Sequence, residues 1–110
     1  MLIIEKKNKI DIISFTVTRI NALITDEIRE GIFKVLDNSN SRVIINLKGV
    51  EYIDSSGFGC FLSAMKAARN NYCILKFAHP EPKVKELLEM LHLNTIFQIY
   101  SEVETCIRSF

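Results

Sequence analysis

Two patterns of hydrophobic residues alternate along the chain, one typical of strands and one typical of helices. Runs rich in β-branched residues predict strands at residues 2–5, 10–17, 42–47 and 72–78. Apolar residues three and four positions apart predict helices at residues 22–36, 56–69 and 80–91, then an extended piece at 96–100 and a last helix carrying Val103, Ile107 and Phe110. The order is β-β-α-β-α-β-α-(β)-α. After an opening hairpin with its turn at residues 6–9, strands alternate with helices, which predicts an α/β fold with a mixed sheet.

Three signals mark where these helices begin. Asn21 is the expected N-cap of the first helix, because its side-chain oxygen can accept a bond from a free backbone N–H group. Pro80 is expected in the first turn of the third helix, where its missing N–H costs nothing. Residues 101–104, Ser-Glu-Val-Glu, fit a capping box before the last helix.

Composition narrows the class of protein. The chain has 110 residues, of which 48% are hydrophobic, so it can form one core and one domain. The formal net charge of +1 gives no electrostatic reason to expect binding to nucleic acid or to an anionic membrane. Cys60, Cys73 and Cys106 are odd in number and widely spaced, which indicates reduced thiols in the core of a cytoplasmic protein. The N-terminus is too short in apolar residues for a signal peptide, and no apolar run could span a bilayer.

The stretch EYIDSSGFG, residues 51–59, joins a predicted strand to a predicted helix. Either Ser55 or Ser56 could cap that helix. The first N–H groups of a helix lack intrahelical partners and favour a negative charge. Gly57 and Gly59 each cost up to about 1 kcal/mol relative to alanine inside a helix, but they leave the surface around the serines low and open. The stretch is therefore either a plain capping sequence or a place where a phosphate on a serine would change what docks there.

Other chemistries find less support in the residues. Asp54 follows a strand as the phospho-acceptor of a response-regulator receiver does, but no acidic pair that could hold Mg²⁺ follows the first strand. The serines lie in no GxSxG frame, and His79 and His92 stand at predicted helix ends with no assignable catalytic role. No metal-ligand spacing or GxxxxGK[ST] loop occurs. We therefore expect no enzyme, metal or cofactor, and keep a small enzyme or nucleotide-binding protein of the same fold as a rival.

Several segments carry a family resemblance. They are VIINL at residues 43–47, VEYIDSSGFG at 50–59, and a later set at His79, Pro80, Val84, Leu87, 91–97, Tyr100 and Ser101. With these segments the sequence resembles the STAS domain of bacterial anti-sigma factor antagonists over essentially its whole length. The resemblance implies a single STAS domain at residues 1–110. It further implies a curved, mixed sheet of four to five strands, with about four helices packed mainly on one side.

The resemblance also implies a function. In this family the unphosphorylated protein binds an anti-sigma factor that is also a serine kinase of histidine-kinase-like ATPase fold, and this frees a sigma factor. The kinase phosphorylates the serine of the motif and the complex dissociates, and a serine phosphatase reverses the modification. The phosphorylated residue matches Ser55, with Ser56 as the second choice. The implied partner-binding surface comprises Asn21, Asp54, Ser55, Ser56, Gly57, Phe58 and Gly59.

One segment departs from the family pattern. Residues 18–21 carry Arg19 where an acidic residue is common and Asn21 where an aspartate is common. Since this loop belongs to the family's partner surface, a phosphorylation-independent STAS scaffold in a sensory or signalling complex stays open as an alternative. The near-neutral charge and the lack of an obvious exposed apolar tract predict a monomer.

Overall fold

A β-hairpin opens the fold in the computed structural model, which describes residues 1–110. β1 (Leu2–Lys7) runs antiparallel to β2 (Ile10–Phe15), as the sequence predicts. The connecting residues Asn8 and Lys9 have φ values of 54° and 66°. Positive φ at both positions is typical of the two-residue turn that suits the twist of antiparallel strands. The turn lies where it is predicted but is shorter, so β1 extends to Lys7.

The main sheet has five strands in the order β1-β2-β4-β6-β7. The added strands are β4 (Arg42–Asn46), β6 (Ile74–Ala78) and β7 (Ile99–Tyr100). β1 is antiparallel to its neighbour and all other neighbouring pairs are parallel, which confirms the predicted mixed sheet. β6 begins later than predicted because Tyr72 has a left-handed φ of 59°, a conformation that does not continue a strand.

Four helices cover this sheet. They are α1 (Thr25–Leu36), α2 (Ser55–Asn70), α3 (Pro82–Met90) and α4 (Val103–Arg108). The first three contribute to a core of 22 buried residues on one face. α4 packs on the other face, where Cys106 and Ile107 join a cluster of 6 buried residues. The prediction that helices pack mainly on one side is confirmed. No helix combines the length and the apolar character needed to cross a membrane.

The start of α3 corrects one prediction. The helix begins at Pro82 and not near Pro80. A residue that precedes proline avoids helical backbone, and Glu81 is accordingly extended with φ −65° and ψ 155°. After α3, His92 takes a left-handed φ of 57° and a short 3₁₀ helix, Leu93–Thr95, follows that the periodicity does not predict.

The capping box predicted at residues 101–104 does not form. Glu102 occupies the N-cap position of α4 and makes no side-chain capping bond. Glu104, which would complete the box, instead forms an ion pair with Lys7 of β1, with 2.9 Å between Nζ and Oε1. The first turn of α4 therefore contacts the sheet through an exposed ion pair and has no side-chain cap.

A second, two-stranded sheet was not predicted. β3 (Arg19–Ile20) pairs in parallel with β5 (Tyr52–Ile53). Two residues are too few for alternation of hydrophobic and polar positions to be recognised. The Glu51 N–H donates to the Thr18 carbonyl at 2.7 Å and extends the contact by one residue. This small sheet holds the loop before α1 against the turn before α2.

Two of the three cysteines lie in the core as predicted, and the third is only partly buried. All three are free. Cys60 and Cys106 are buried in the two core clusters, whereas Cys73 is only partly buried. Burial raises the pKa of the Cys106 thiol to about 11, because the thiolate would lose its hydration there. Cys60 and Cys106 therefore behave as small core residues, as predicted, and Cys73 lies at the margin of the core.

Candidate functional site

The small sheet brings the two predicted parts of the site together. Ile20 and Ile53 are direct neighbours in the β3–β5 pairing. The Asp54 N–H continues that ladder by donating to the Ile20 carbonyl at 3.0 Å. Asn21 follows Ile20 directly, so the structure places it beside the start of the DSSG turn, which we define as residues 54–57. Asn21 and the DSSG turn therefore lie on one surface although 32 positions separate Ile20 from Ile53.

The DSSG turn is closed by Asp54. Its backbone is extended, with φ −89° and ψ −177°, and its Oδ1 accepts a hydrogen bond from the Gly57 N–H at 3.0 Å. Asp54 is therefore the N-cap of α2, and the prediction that Ser55 or Ser56 caps the helix is wrong. The carboxylate is the stronger acceptor for the orphan donor of this first turn. Neither serine hydroxyl is needed to start the helix.

The two serines differ in accessibility. Ser55 is exposed and Ser56 is partly buried. Both are first-turn residues of α2, so their N–H groups have no intrahelical acceptor. The helix dipole places partial positive charge at this position, and the Asp54 carboxylate offsets part of it. Ser55 is thus the more accessible of the two serines, and it lies at the positive end of the helix dipole.

The two glycines of the motif have different roles. A Cβ on Gly57 would lie 2.5 Å from Cγ2 of Ile53 and 2.9 Å from Cγ2 of Ile20. Gly57 therefore lets the first turn of α2 pack directly on the small sheet. A Cβ on Gly59 would meet no atom within 4 Å, and Gly59 is exposed. Phe58, between them, is buried in the main core, so of these three only Gly59 presents open surface.

The loop before α1 is constructed differently. Asn21 does not cap α1, which corrects the prediction. Its Oδ1 accepts a bond from the Leu23 N–H at 3.0 Å and closes a local turn. α1 begins only at Thr25, and Ile24 at the N-cap position makes no side-chain capping bond. The turn leaves Leu23 92% exposed.

Leu23 is a candidate site residue that the sequence analysis missed. It falls inside the segment predicted as helix, yet it is outside the apolar stripe that begins at Ile24 and continues through Ile28. An apolar residue off the buried face of its own helix was the available signal. A fully exposed leucine next to Asn21 offers a partner an apolar contact, since such side chains gain most from burial.

Arg19 and Tyr52 add a fixed contact beside the turn. The guanidinium carbon of Arg19 lies 4.7 Å above the centroid of the Tyr52 ring. This cation–π contact orients the arginine, which is exposed, next to the DSSG turn. The basic residue that departs from the family pattern is therefore held in place by a neighbour and is part of the same surface.

The helices α1 and α2 also contact each other. Burial raises the pKa of the Cys60 thiol of α2, and the nearby guanidinium of Arg29 in α1 offsets part of that rise. Arg29 in turn pairs with Asp26, with 3.7 Å between Nη1 and Oδ1. A buried, protonated thiol is a poor nucleophile, so Cys60 contributes packing to the site. No group of three His, Cys, Asp or Glu side chains converges anywhere to hold a metal ion.

Comparison with known proteins defines the family. A family model described as the STAS domain matches residues 3–106. The chain belongs to the STAS domain family.

Solved structures show the same fold at low identity. An anti-sigma-factor antagonist (STAS) domain protein from Planctomyces limnophilus is 18% identical, with a TM-score of 0.90 over 98% of this chain and 96% of that one. An anti-sigma factor antagonist from Mycobacterium paratuberculosis is 15% identical, with a TM-score of 0.89 over 99% and 92%. The Bacillus cell fate determinant SpoIIAA in its phosphorylated form is 18% identical, with a TM-score of 0.73 over 100% of both chains. At these identities the likeness is one of fold.

Proposed function

We propose that this protein is an anti-sigma factor antagonist whose docking is controlled by phosphorylation of Ser55. The unphosphorylated protein binds an anti-sigma factor that is also a serine kinase, and thereby frees a sigma factor in the cytoplasm. The observation that carries the proposal is the exposed Ser55 hydroxyl on the Asp54-capped first turn of α2. SpoIIAA, a structural relative named as an anti-sigma factor antagonist, has been solved in unphosphorylated and phosphorylated forms.

The chemistry requires no catalytic group from this chain. The kinase holds ATP, the Ser55 Oγ attacks the γ-phosphorus, the hydroxyl proton passes to the kinase and ADP leaves. A serine phosphatase uses water to return the hydroxyl and release inorganic phosphate. This chain supplies only an accessible hydroxyl at a fixed position. The proposal therefore assigns the protein a regulatory binding role and not an enzymatic one.

Release follows from the charge of the modified serine. A phosphate carries between one and a half and two negative charges, roughly, at neutral pH. Placed on Ser55 it would meet the positive end of α2, which favours it, and the neighbouring Asp54 carboxylate, which does not. The fold is therefore little affected. A partner that packs closely on Ser55 and the open surface at Gly59 would have to accommodate new bulk and charge, and it would dissociate.

The test uses capture by immobilised protein from a lysate of its own cells. Wild type and Ser55→Ala should retain a kinase of histidine-kinase-like ATPase fold, identified by mass spectrometry, whereas Ser55→Asp should retain at least about tenfold less. Ser63→Asp is the matched control, because Ser63 is also exposed on α2 but lies outside the motif. Equal retention by Ser55→Asp and Ser63→Asp would contradict the proposal.

One observation favours a second candidate. Arg19 is fixed over Tyr52 beside the DSSG turn, where the family commonly has an acidic residue. A partner adapted to that basic side chain could bind without regard to phosphorylation, as in a STAS scaffold of a sensory complex. In the capture experiment this candidate predicts a partner that Ser55→Asp retains and Arg19→Glu loses.

A further inference from the structure

The outer edge of β1 is an open backbone edge. The Thr16 N–H donates to the Met1 carbonyl at 2.9 Å, which continues the register in which Ile3 faces Ser14. Bonded pairs alternate in an antiparallel ladder, so the odd-numbered residues of β1 bond to β2. The even-numbered residues, Leu2, Ile4 and Lys6, direct their N–H and C=O groups outward, where no strand follows β1.

The side chains of β1 do not protect this edge. Ile3 and Ile4 are each 46% exposed and point to opposite faces of the sheet. Lysines on an edge strand usually discourage pairing with another chain. Here Lys6 is paired with Asp11, with 3.5 Å between the charged atoms, and Lys7 with Glu104 at 2.9 Å. Both lysine side chains stay exposed, at 67% and 55%, but each charge has a carboxylate of the same molecule as its partner.

We propose that β1 is a self-association surface, on which β1 of a second copy of this chain adds antiparallel and continues the sheet across a two-fold axis. This departs from the monomer expected from composition. It goes beyond the proposed function and does not rest on it, because none of the residues of β1 belongs to the surface around Ser55.

Geometry selects one register. A two-fold axis perpendicular to the sheet pairs residues that point to the same face, so the paired positions are both odd or both even. With Ile4 opposite Ile4 of the second copy, Leu2 faces Lys6 and Lys6 faces Leu2. Every outward N–H and C=O group of β1 then has a partner, and the exposed Ile4 side chains meet at the axis.

Charge favours the same register. It places Glu5 opposite Ile3 of the second copy, so no two like-charged side chains face each other. A shift by two residues places Glu5 opposite Glu5, and a further shift places Lys6 opposite Lys6, both of which are destabilising. In the favoured register Lys6 of the second copy comes next to Leu2. A shallow surface hollow lies beside Leu2, and Glu27 and Glu30 line it together with Lys34 and Met1. Carboxylates and cations balance there, so Lys6 can keep Asp11 of its own copy as its partner without meeting an excess of positive charge.

The first experiment measures self-association of the purified full chain by sedimentation velocity from about 1 µM to about 1 mM, the range that separates moderate from very weak affinity. Wild type should show a reversible dimer. Ile4→Lys, which places two ammonium groups at the axis, should raise the dimer Kd at least about tenfold. Ile74→Lys is the matched control, because Ile74 is 45% exposed on a different strand. A wild-type monomer at every concentration, or equal Kd values for the two variants, would overturn the proposal.

The second experiment tests the register in a Cys73→Ser background, which removes the partly buried native thiol. Bonded residues of an antiparallel pair have Cα atoms about 5.5 Å apart, within the range a disulfide can bridge. Ile4→Cys should therefore cross-link rapidly under mild oxidation, and Glu5→Cys should not. Faster cross-linking through Glu5→Cys would contradict the register. A pure protein that stays monomeric yet binds an unrelated strand peptide at β1 would assign this edge to a different partner.

Discussion

The helices α1 and α2 each follow one strand of the small sheet, and their first turns are stabilised in different ways. The start of α2 is closed by the Asp54 carboxylate and lies directly on the small sheet through Gly57. The start of α1 has no side-chain cap and follows a short turn closed by Asn21, from which Leu23 projects into solvent. The start of α2 is thus capped by a side chain and the start of α1 is not. In the proposed switch the charge change at Ser55 occurs at the capped start, and the exposed Leu23 lies at the uncapped one.

The largest expected effect on stability comes from disturbing the close packing at the start of α2. Gly57→Ala should lower the free energy of unfolding by about 1–3 kcal/mol, because its Cβ would overlap the stiff methyl groups of Ile20 and Ile53. Gly59→Ala is the matched control and should raise stability by up to about 1 kcal/mol, since it gains helix propensity in open space. Urea denaturation of both variants measures the difference. Equal stabilities would contradict the close packing of α2 on the small sheet.

The exposed Leu23 at the uncapped start of α1 should matter for binding and not for folding. Leu23→Ser removes an exposed side chain that contacts little within the protein, so its unfolding free energy should stay within about 0.5 kcal/mol of wild type. Its affinity for the captured kinase should fall about tenfold if Leu23 is an anchor of the interface. Calorimetric titration and denaturation of the same sample measure both quantities. Unchanged affinity would remove Leu23 from the docking surface.

Asp54, which caps α2, and Asn21, which closes the turn before α1, should contribute smaller amounts to stability. Asp54→Ala should cost about 1 kcal/mol of unfolding free energy, because the Gly57 N–H loses its acceptor. Asn21→Ala should cost only a few tenths, since its bond to Leu23 lies in an exposed turn outside the helix. Thermal unfolding of the two variants compares them directly. A larger loss for Asn21→Ala would contradict the conclusion that the Asp54 cap contributes more to stability than the Asn21 turn.

The smallest expected effect is the dependence of stability on pH that the buried Cys60 thiol causes. Burial raises the pKa of Cys60 above the ordinary thiol value of 9.0. Above pH 9.0 the unfolded chain therefore loses this proton before the folded chain does, and stability falls as pH rises. Cys60→Ala should flatten the decline of unfolding free energy that begins above about pH 9. An identical slope in both proteins would contradict the protonated, buried thiol.

The regular elements were predictable because they are long or strongly patterned. The β1–β2 hairpin, the buried stripe of α1 and the parallel strand β4 all extend over several residues, so their periods are clear. β3 and β5 were missed because a two-residue strand has no period. The start of α3 was not predictable from helical spacing, because the backbone restriction that Pro82 imposes on Glu81 decides it.

The candidate site was predictable in its chemistry but not in its construction. The serines, glycines and Asp54 could be located from the sequence, because few connections need that combination. Which of them caps α2 depended on the distance between the Asp54 carboxylate and the Gly57 N–H, which only the fold fixes. The exposure of Leu23 depended on where α1 begins, and helix ends are set by caps and packing more than by periodicity.

The most direct test of the proposed switch is to map phosphate on the protein isolated from its own cells, with and without stress, by mass spectrometry of its peptides. We expect phosphate on Ser55, with an occupancy that changes with conditions, and none on the partly buried Ser56. An unmodified Ser55 under every condition, together with a bound partner that ignores Ser55→Asp, would contradict it and favour a scaffold whose binding is independent of phosphorylation.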